Sequence, residues 1–400
     1  MSNKGSNKVY VVGVGMTKFE KPGARDWQYP DMVREAAQAA LDDAGIPYDL
    51  VQRAFASYVQ GDSCYGNRGL YEIGMTGIPI VNVNNNCASG VSGLWLAREA
   101  VRYGQADCVL AVGFEKMAKG SIPQGFKEHP SPLRRQIKAM WSKRGREHTP
   151  IAAQMFANAA KEHSEKYGTP AQTWAKLSEK NYAHSVNNPR SQFQTAHTVD
   201  EILAAPMISD PLTRLMCCPT SDGGAAAIVA SERFVTGHGL HDRAVEIAAM
   251  SMTTDTPDTF DGSDMALVGW HMNQRVARAV YQESGLGPED VQVVELHDCF
   301  APAEILLYEA LGLCPEGKGG DLLLSGATTY GGDWVVNPSG GLLSKGHPLG
   351  ATGLAQCAEL TWQLRGEAGQ RQVPAAAAAL QHNLGLGGAG VAAIYKKVGK

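Results

Sequence analysis

Short apolar runs alternate with helix-length amphipathic patterns along this chain, and that alternation constrains its fold more than any other feature. A strand pattern at Val9–Val14 turns through Gly15, and a helix pattern runs from about Asp31 to Ala44 and stops at Gly45. Strand patterns follow at Val51–Val59 and Ile80–Val83, then a long helix pattern over Ala88–Tyr103 that ends at Gly104. Cys108–Gly113 is continuously apolar, the mark of a strand buried on both faces. The rhythm returns in a second half. Strand patterns lie at Val245–Met250 and Val291–Leu296, and helix patterns at Asn273–Ser284 and Pro302–Leu311. A Gly-rich segment, Gly331–Gly353, feeds a helix that ends near Leu364, and strands at Ala378–Gln381 and Val391–Tyr395 close the chain. Such alternation argues for a layered α/β fold. The halves share this rhythm without an obvious sequence repeat.

Glu115–Asp210 breaks the pattern. It is more polar, carries prolines and histidines, and reads as a loop domain inserted over the active site before a strand resumes at Ala225–Ala230. The boundaries that follow are 1–114 with 211–240 for the first half, 115–210 for the insert, and 241–400 for the second half. With 400 residues, 44% hydrophobic and 19% charged, the chain is expected to be soluble with a large core. A formal charge of −4 argues against nucleic acid as a partner. No apolar stretch is long enough to span a bilayer, and the termini carry no targeting signal, so the cytoplasm is the default expectation, with peroxisome or mitochondrion left open. The eight cysteines are scattered apart from Cys217-Cys218, with no Cys-x-x-Cys pair, which argues for a reduced compartment and against a structural metal.

Four places bear chemistry. Cys87 follows a strand and precedes a helix, where unpaired N–H groups and the helix dipole should lower a thiol pKa. His347 lies in Gly346-His347-Pro348, and the proline holds it on a rigid turn at a helix start. His297, Asp298, Cys299 and Phe300 follow directly on a strand, an unusual run for packing alone. Gln381–Gly390 reads as a Gly-rich turn able to offer backbone N–H groups to an oxyanion. Each has a plainer reading: a buried structural thiol, a turn histidine, a thiol beside a surface histidine, an ordinary hairpin turn. Cys217, Cys218 and Cys314 read as structural, and His148, His163 and His184 as solvated or packing residues.

Together these stretches resemble the thiolase superfamily, most specifically in Asn82–Gly90, His297–Phe300, Asn337–Gly353 and His382–Gly390. More narrowly they resemble the thiolase domain of sterol carrier protein-type (lipid-transfer) thiolases. The resemblance implies two similar mixed-sheet halves in a five-layer α-β-α-β-α arrangement, with the inserted loop domain. It implies coenzyme A thioester substrates, CoA as co-substrate, no permanently bound cofactor or metal, and a homodimer. Cys87 matches the acylated nucleophile and His347 the histidine that activates it. The family's usual Asn-Glu-Ala-Phe is replaced by His297-Asp298-Cys299-Phe300. Its second catalytic cysteine falls here on Leu384 or Gly385, neither of which can move a proton. The lipid-transfer resemblance implies Cys299 as the replacement acid/base, with His297 beside it. Backbone N–H groups of Cys87 and Gly387 are expected to hold the oxyanion, and Asp298 and Asn337 to support the site. The implied reaction is cleavage of a 3-oxoacyl-CoA by CoA, or its reverse. A decarboxylating ketoacyl synthase would use the same Cys-His-His set, and a lipid-binding partner subunit would need little turnover. Any lipid carrier is expected to be a separate protein.

Overall fold

A computed structural model describes residues 8–118 and 128–398. In chain order, the first half contains β1 (Val9–Met16), α1 (Tyr29–Ala44), β2 (Arg53–Ser57), β3 (Ile80–Val83), α2 (Ser89–Arg102) and β4 (Cys108–Glu115). Helices α3 (Arg134–Arg144), α4 (Ile151–Tyr167), α5 (Ala171–Ser185) and α6 (Val199–Ala204) come next, with a small hairpin of β5 (Met207–Ser209) and β6 (Leu212–Thr213). β7 (Gly223–Ser231) then returns to the first sheet. The second half contains β8 (Val245–Thr253), α7 (Trp270–Ser284), β9 (Val293–Glu295), α8 (Ala301–Ala310), β10 (Val335–Val336), α9 (Gly341–Lys345), α10 (Leu349–Arg365), β11 (Ala378–Gly385) and β12 (Ala389–Lys397).

The strand order exposes a duplication that the sequence hides. The first half pairs as β3-β2-β4-β7-β1 and the second as β10-β9-β11-β12-β8. In both, the third, second and fourth strands of the half are mutually parallel, and the last strand runs antiparallel between the fourth and the first. Among the described residues, the two sheets touch edge to edge where Tyr10 and Val11 of β1 pair with Glu246 and Val245 of β8.

Side-chain alternation along the strands sorts the core into layers. Tyr10 and Val12 pack outward with Met32, Val33 and Ala36 of α1, whereas Val9 and Val11 pack inward with Val91 and Leu94 of α2 and Leu354 and Ala355 of α10. In the second sheet Ala379, Val391 and Ala393 join that inner core, while Leu380, Ala392 and Ile394 face Val276 and Val280 of α7. The result is helix, sheet, central helices, sheet, helix, in five layers.

The central helices approach through glycine. A Cβ on Gly113 would stand 2.0 Å from the Gly350 carbonyl oxygen, one on Gly90 2.5 Å from it, and one on Gly353 2.4 Å from the Val91 nitrogen. Side chains at these positions would hold α10 away from α2 and from β4. Because Cys87 leads into α2 and His347 into α10, this contact brings the two reactive groups together.

Several boundaries differ from the sequence reading. The strand patterns at Val51–Val59 and Val291–Leu296 shorten to β2 and β9, and each is entered directly from a helical turn, Tyr48–Leu50 and Pro288–Asp290. Gln381–Gly390 is mostly strand rather than turn. β11 runs to Gly385 with His382 and Asn383 buried, and only Leu386–Gly388 turns. His382 Nε2 bonds Asn273 and Asn383 Nδ2 donates to Gln356, whereas His382 Nδ1 and Asn383 Oδ1 are buried without a partner. Among the described residues, no helix is long and apolar enough to cross a membrane.

Candidate active site

Cys87 stands at the mouth of α2, 8% exposed. Asn86, just before it, takes a left-handed φ of 53°, a conformation that asparagine tolerates better than most residues. The Ser89 hydroxyl donates to the Asn86 carbonyl at 2.6 Å and accepts from the Asn85 N–H at 2.9 Å. Asn86 Nδ2 donates to the Leu386 carbonyl at 2.9 Å, tying the nucleophile's loop to the β11–β12 turn. Gly385 is the close contact there: a Cβ on it would lie 2.2 Å from the Asn85 carbonyl oxygen. Gly387 sits exposed at the tip of that turn with φ 103°.

His347 is fixed by its own backbone and its ring. Its N–H donates to Ser221 Oγ at 2.9 Å, and Nδ1 lies 2.7 Å from Thr352 Oγ1. The Thr352 hydroxyl donates its single proton back to the Pro348 carbonyl at 3.0 Å. Nδ1 must therefore carry the imidazole proton, which leaves Nε2 with a free lone pair; this tautomer is assigned from the hydrogen-bond pattern. Nε2 is buried and has no hydrogen-bond partner.

The Cys87 sulfur and one ring nitrogen each of His297 and His347 all lie within 4.8 Å of one another. The two imidazoles meet edge to face, with centroids 5.1 Å apart. Cys299, also buried, is outside this trio, but its sulfur is close enough to Cys87 and Cys218 for their charges to act on it. A backbone bond from the Cys218 N–H to the Cys299 carbonyl, 2.9 Å, brings Cys218 to the same place. Sequence reasoning had set that residue aside as structural. His163 and His184 are packing residues as expected, held by Glu309 and Thr169 and by Asn337 and Thr329 respectively.

Asp298 and Asn337 support the site from behind. Asp298 accepts from the Leu342 N–H at 2.7 Å and from Asn181 at 2.8 Å, and Asn337 accepts from the Leu296 N–H at 2.9 Å. Asn181 and Asn337 both donate to Glu304, which pairs with Lys180. Burial, with the Glu304 charge beside it, holds the Asp298 carboxyl well above the usual carboxylate range. Glu115, at the end of β4, was not anticipated. Its carboxylate accepts the N–H groups of Gln60 (2.7 Å), Gly350 (2.9 Å) and Val59 (3.1 Å), clamping the start of α10 to the end of β2. Burial raises its pKa to about 7, although those N–H bonds oppose the shift. A carboxylate closing an otherwise apolar strand was the available signal.

The expected fall in the Cys87 pKa is overturned. Burial first, then the Glu115 charge, push the thiol up to about 12, because desolvation outweighs the helix terminus. Burial likewise holds His297 down at about 3 and His347 well below its ordinary value. At rest the site is a neutral thiol beside two neutral imidazoles, not an ion pair. Iodoacetamide alkylation of Cys87 should therefore accelerate about tenfold per pH unit from pH 6 to 9. A plateau below pH 8 would reveal a preformed thiolate.

A five-layer duplicated α/β fold with a buried Cys-His-His centre between its halves defines the class. Residues 9–233 match the thiolase N-terminal domain, and residues 254–397 the thiolase C-terminal domain-like family. The chain belongs to the thiolase family. It is 57% identical over 392 residues to sterol carrier protein 2 of Bos taurus, covering 98% of this chain and 72% of that one. It is 35% identical to an acetyl-CoA acetyltransferase of Methanothermobacter thermautotrophicus, covering 97% and 98%. Its fold matches the Ltp2-ChsH2(DUF35) aldolase with a TM-score of 0.81 at 22% identity, covering 98% of each chain. It also matches human mitochondrial 3-ketoacyl-CoA thiolase in complex with CoA, with a TM-score of 0.70 at 20% identity and the same coverage.

Proposed function

We propose that this chain is a 3-ketoacyl-CoA thiolase of the lipid-transfer type, an acetyl-CoA C-acyltransferase that works through an acyl-Cys87 intermediate. The observation that carries this reading is the meeting of Cys87, His297 and His347 within 4.8 Å. His347 Nε2 takes the Cys87 proton as the sulfur attacks the 3-keto carbon of a 3-oxoacyl-CoA. The Cα–Cβ bond breaks, leaving an acyl-Cys87 thioester and an acyl-CoA enolate. His297 and protonated His347 hold the enolate oxygen, and the Cys299 thiol gives its proton to the carbon. The Cys299 thiolate then takes the proton of an incoming CoA thiol, which attacks the acyl group. Cys87 leaves and recovers its proton from His347, so the cycle closes without a metal or redox cofactor. The N–H groups of Cys87 and Gly387 serve the tetrahedral oxyanion, and Asp298 and Asn337 hold the segments that carry His297, Cys299 and His347.

The insert 115–210 covers this centre in the proposed assignment, between halves 1–114 with 211–240 and 241–400. A homodimer formed through β3 is supported by that strand's position at the sheet edge, and by Val81 and Met75, 45% and 79% exposed. Pairing would cover an otherwise open edge. The cytoplasm is the proposed compartment.

Cys299 stands outside the tight trio, and this favours one second reading: a decarboxylating ketoacyl synthase, which needs only Cys-His-His. One experiment separates the two. The protein is given 3-oxoacyl-CoAs of varied length with CoA, or malonyl-CoA with an acyl-CoA primer, and peptides are mapped by mass spectrometry. Thiolysis with an acyl adduct on Cys87, absent in Cys87→Ala, is expected. Malonyl-CoA consumption without thiolysis would install the synthase, and the absence of any adduct would remove both.

A further inference from the structure

The donor atoms that meet at the reaction centre make a set that acyl transfer does not exhaust. One sulfur and two imidazole nitrogens lie within 4.8 Å of one another, on residues 8%, 1% and 4% exposed. One ring nitrogen of each histidine, His297 Nδ1 and His347 Nε2, is buried with no hydrogen-bond partner. Buried imidazole nitrogens normally find one.

We infer that Cys87, His297 and His347 form a binding site for a divalent transition-metal ion of the zinc class, and that metal and acyl thioester exclude each other there. Three protein donors with an open fourth position is the pattern of reactive zinc sites, in contrast to closed four-ligand structural ones. The donors are one soft and two borderline, which selects zinc, cobalt or cadmium over magnesium or calcium. The nearby carboxylate does not change that choice, because Glu115 spends its oxygens on the N–H groups of Val59, Gln60 and Gly350. Further soft donors stand close by, since the Cys299 and Cys218 sulfurs are within electrostatic reach of Cys87.

The ligating form of cysteine is the thiolate, so binding at Cys87 releases one proton and tightens as pH rises. The Thr352 contact at Nδ1 already orients the His347 ring, in the way outer partners orient metal-binding histidines. A tetrahedral zinc site sets its ligand atoms about 3.5 Å apart, so from within 4.8 Å the trio closes by about 1.3 Å at most. A bound ion takes the sulfur lone pair needed for attack and the nitrogen lone pair needed to accept the proton. The metal is therefore an inhibitor, and that consequence rests on the acyl-transfer reading; the binding itself does not.

The test uses Co²⁺ as a spectroscopic probe and Zn²⁺ as a competitor, with the whole chain. One Co²⁺ per chain is expected, with a thiolate-to-cobalt charge-transfer band that Zn²⁺ displaces. The band should vanish in Cys87→Ala and in His297→Asn, and persist in Cys64→Ser, which removes the one exposed thiol. Zn²⁺ should slow iodoacetamide alkylation of Cys87 at least tenfold. Circular dichroism of each variant separates a lost ligand from a lost fold, and Zn²⁺ protection of wild-type Cys87 needs no variant at all. A band that survives Cys87→Ala, or alkylation of wild-type Cys87 unchanged at saturating Zn²⁺, overturns the inference. Neither readout requires turnover. Protein that binds Co²⁺ but cleaves no thioester would count against the thiolase reading alone; protein that cleaves thioesters but gives no band would count against the metal site alone.

Discussion

His347→Asn is expected to lower kcat/KM for thiolysis by about 10³–10⁴-fold, the upper range for loss of a positioned general base. The size follows from the state of the nucleophile. With the Cys87 thiol pushed up to about 12, only about one molecule in 10⁵ carries the thiolate at pH 7. Acceptance of the proton by Nε2 as the sulfur attacks removes the need for that rare species, and an asparagine amide cannot do it. Residual activity in the variant should climb about tenfold per pH unit up to pH 9, because it draws on free thiolate. The wild-type enzyme should be much flatter, since His347 is neutral across that range. A loss smaller than tenfold, or parallel pH profiles, would mean that another group takes the proton. Thermal unfolding serves as the control. The contacts of Ser221 with the His347 backbone and of Glu115 with Gly350 do not involve the ring, so the turn should survive.

The same residues show what a sequence discloses and what it hides. Cys87 and His347 were legible because each sits at a junction written locally: Asn84-Asn85-Asn86 before a small-residue helix start, and Gly346-His347-Pro348 before another. The layered α/β class was legible from apolar runs such as Cys108–Gly113. The pKa of the thiol was not, because a helix terminus is a local feature whereas burial sums over every segment that closes on the site. Here the segments include β4, the β11–β12 turn and the start of α10. The clamp by Glu115 was hidden for the same reason, since its partner Gly350 lies 235 residues away. Glu115 had been read as the first residue of the insert. Cys218 looked like half of an inert pair until the backbone bond to Cys299 placed it beside the site. The duplication itself left no repeat in the sequence. It survives only in strand order, because many apolar side chains satisfy one buried position.

Cys299→Ala should divide the reaction in two. Transfer of an acetyl group from acetyl-CoA to Cys87 needs the nucleophile and His347 but no proton at carbon, so the Cys87 adduct should still form at close to the wild-type rate. Steps that move a proton at the α-carbon or take the proton of CoA should suffer: thiolysis by about 10²–10⁴-fold, and exchange of the acetyl-CoA methyl protons with deuterated water by a similar factor. The environment of Cys299 fits that role. Burial, with the charges of Cys218 and Cys87, lifts its pKa well above the ordinary thiol value, so the proton stays on sulfur until an enolate carbon, a far stronger base, stands beside it. Once the enolate is quenched, the buried thiolate left behind is costly and basic, and it takes the next proton offered, that of CoA. Cys218→Ala is the paired control. That residue shares the surroundings of Cys299 but has no step assigned to it, and it should leave methyl exchange within a factor of a few. Exchange that persists in Cys299→Ala and disappears in Cys218→Ala would move the acid/base role to the neighbouring thiol. Exchange that persists in both would leave His297 as the group that handles the α-proton.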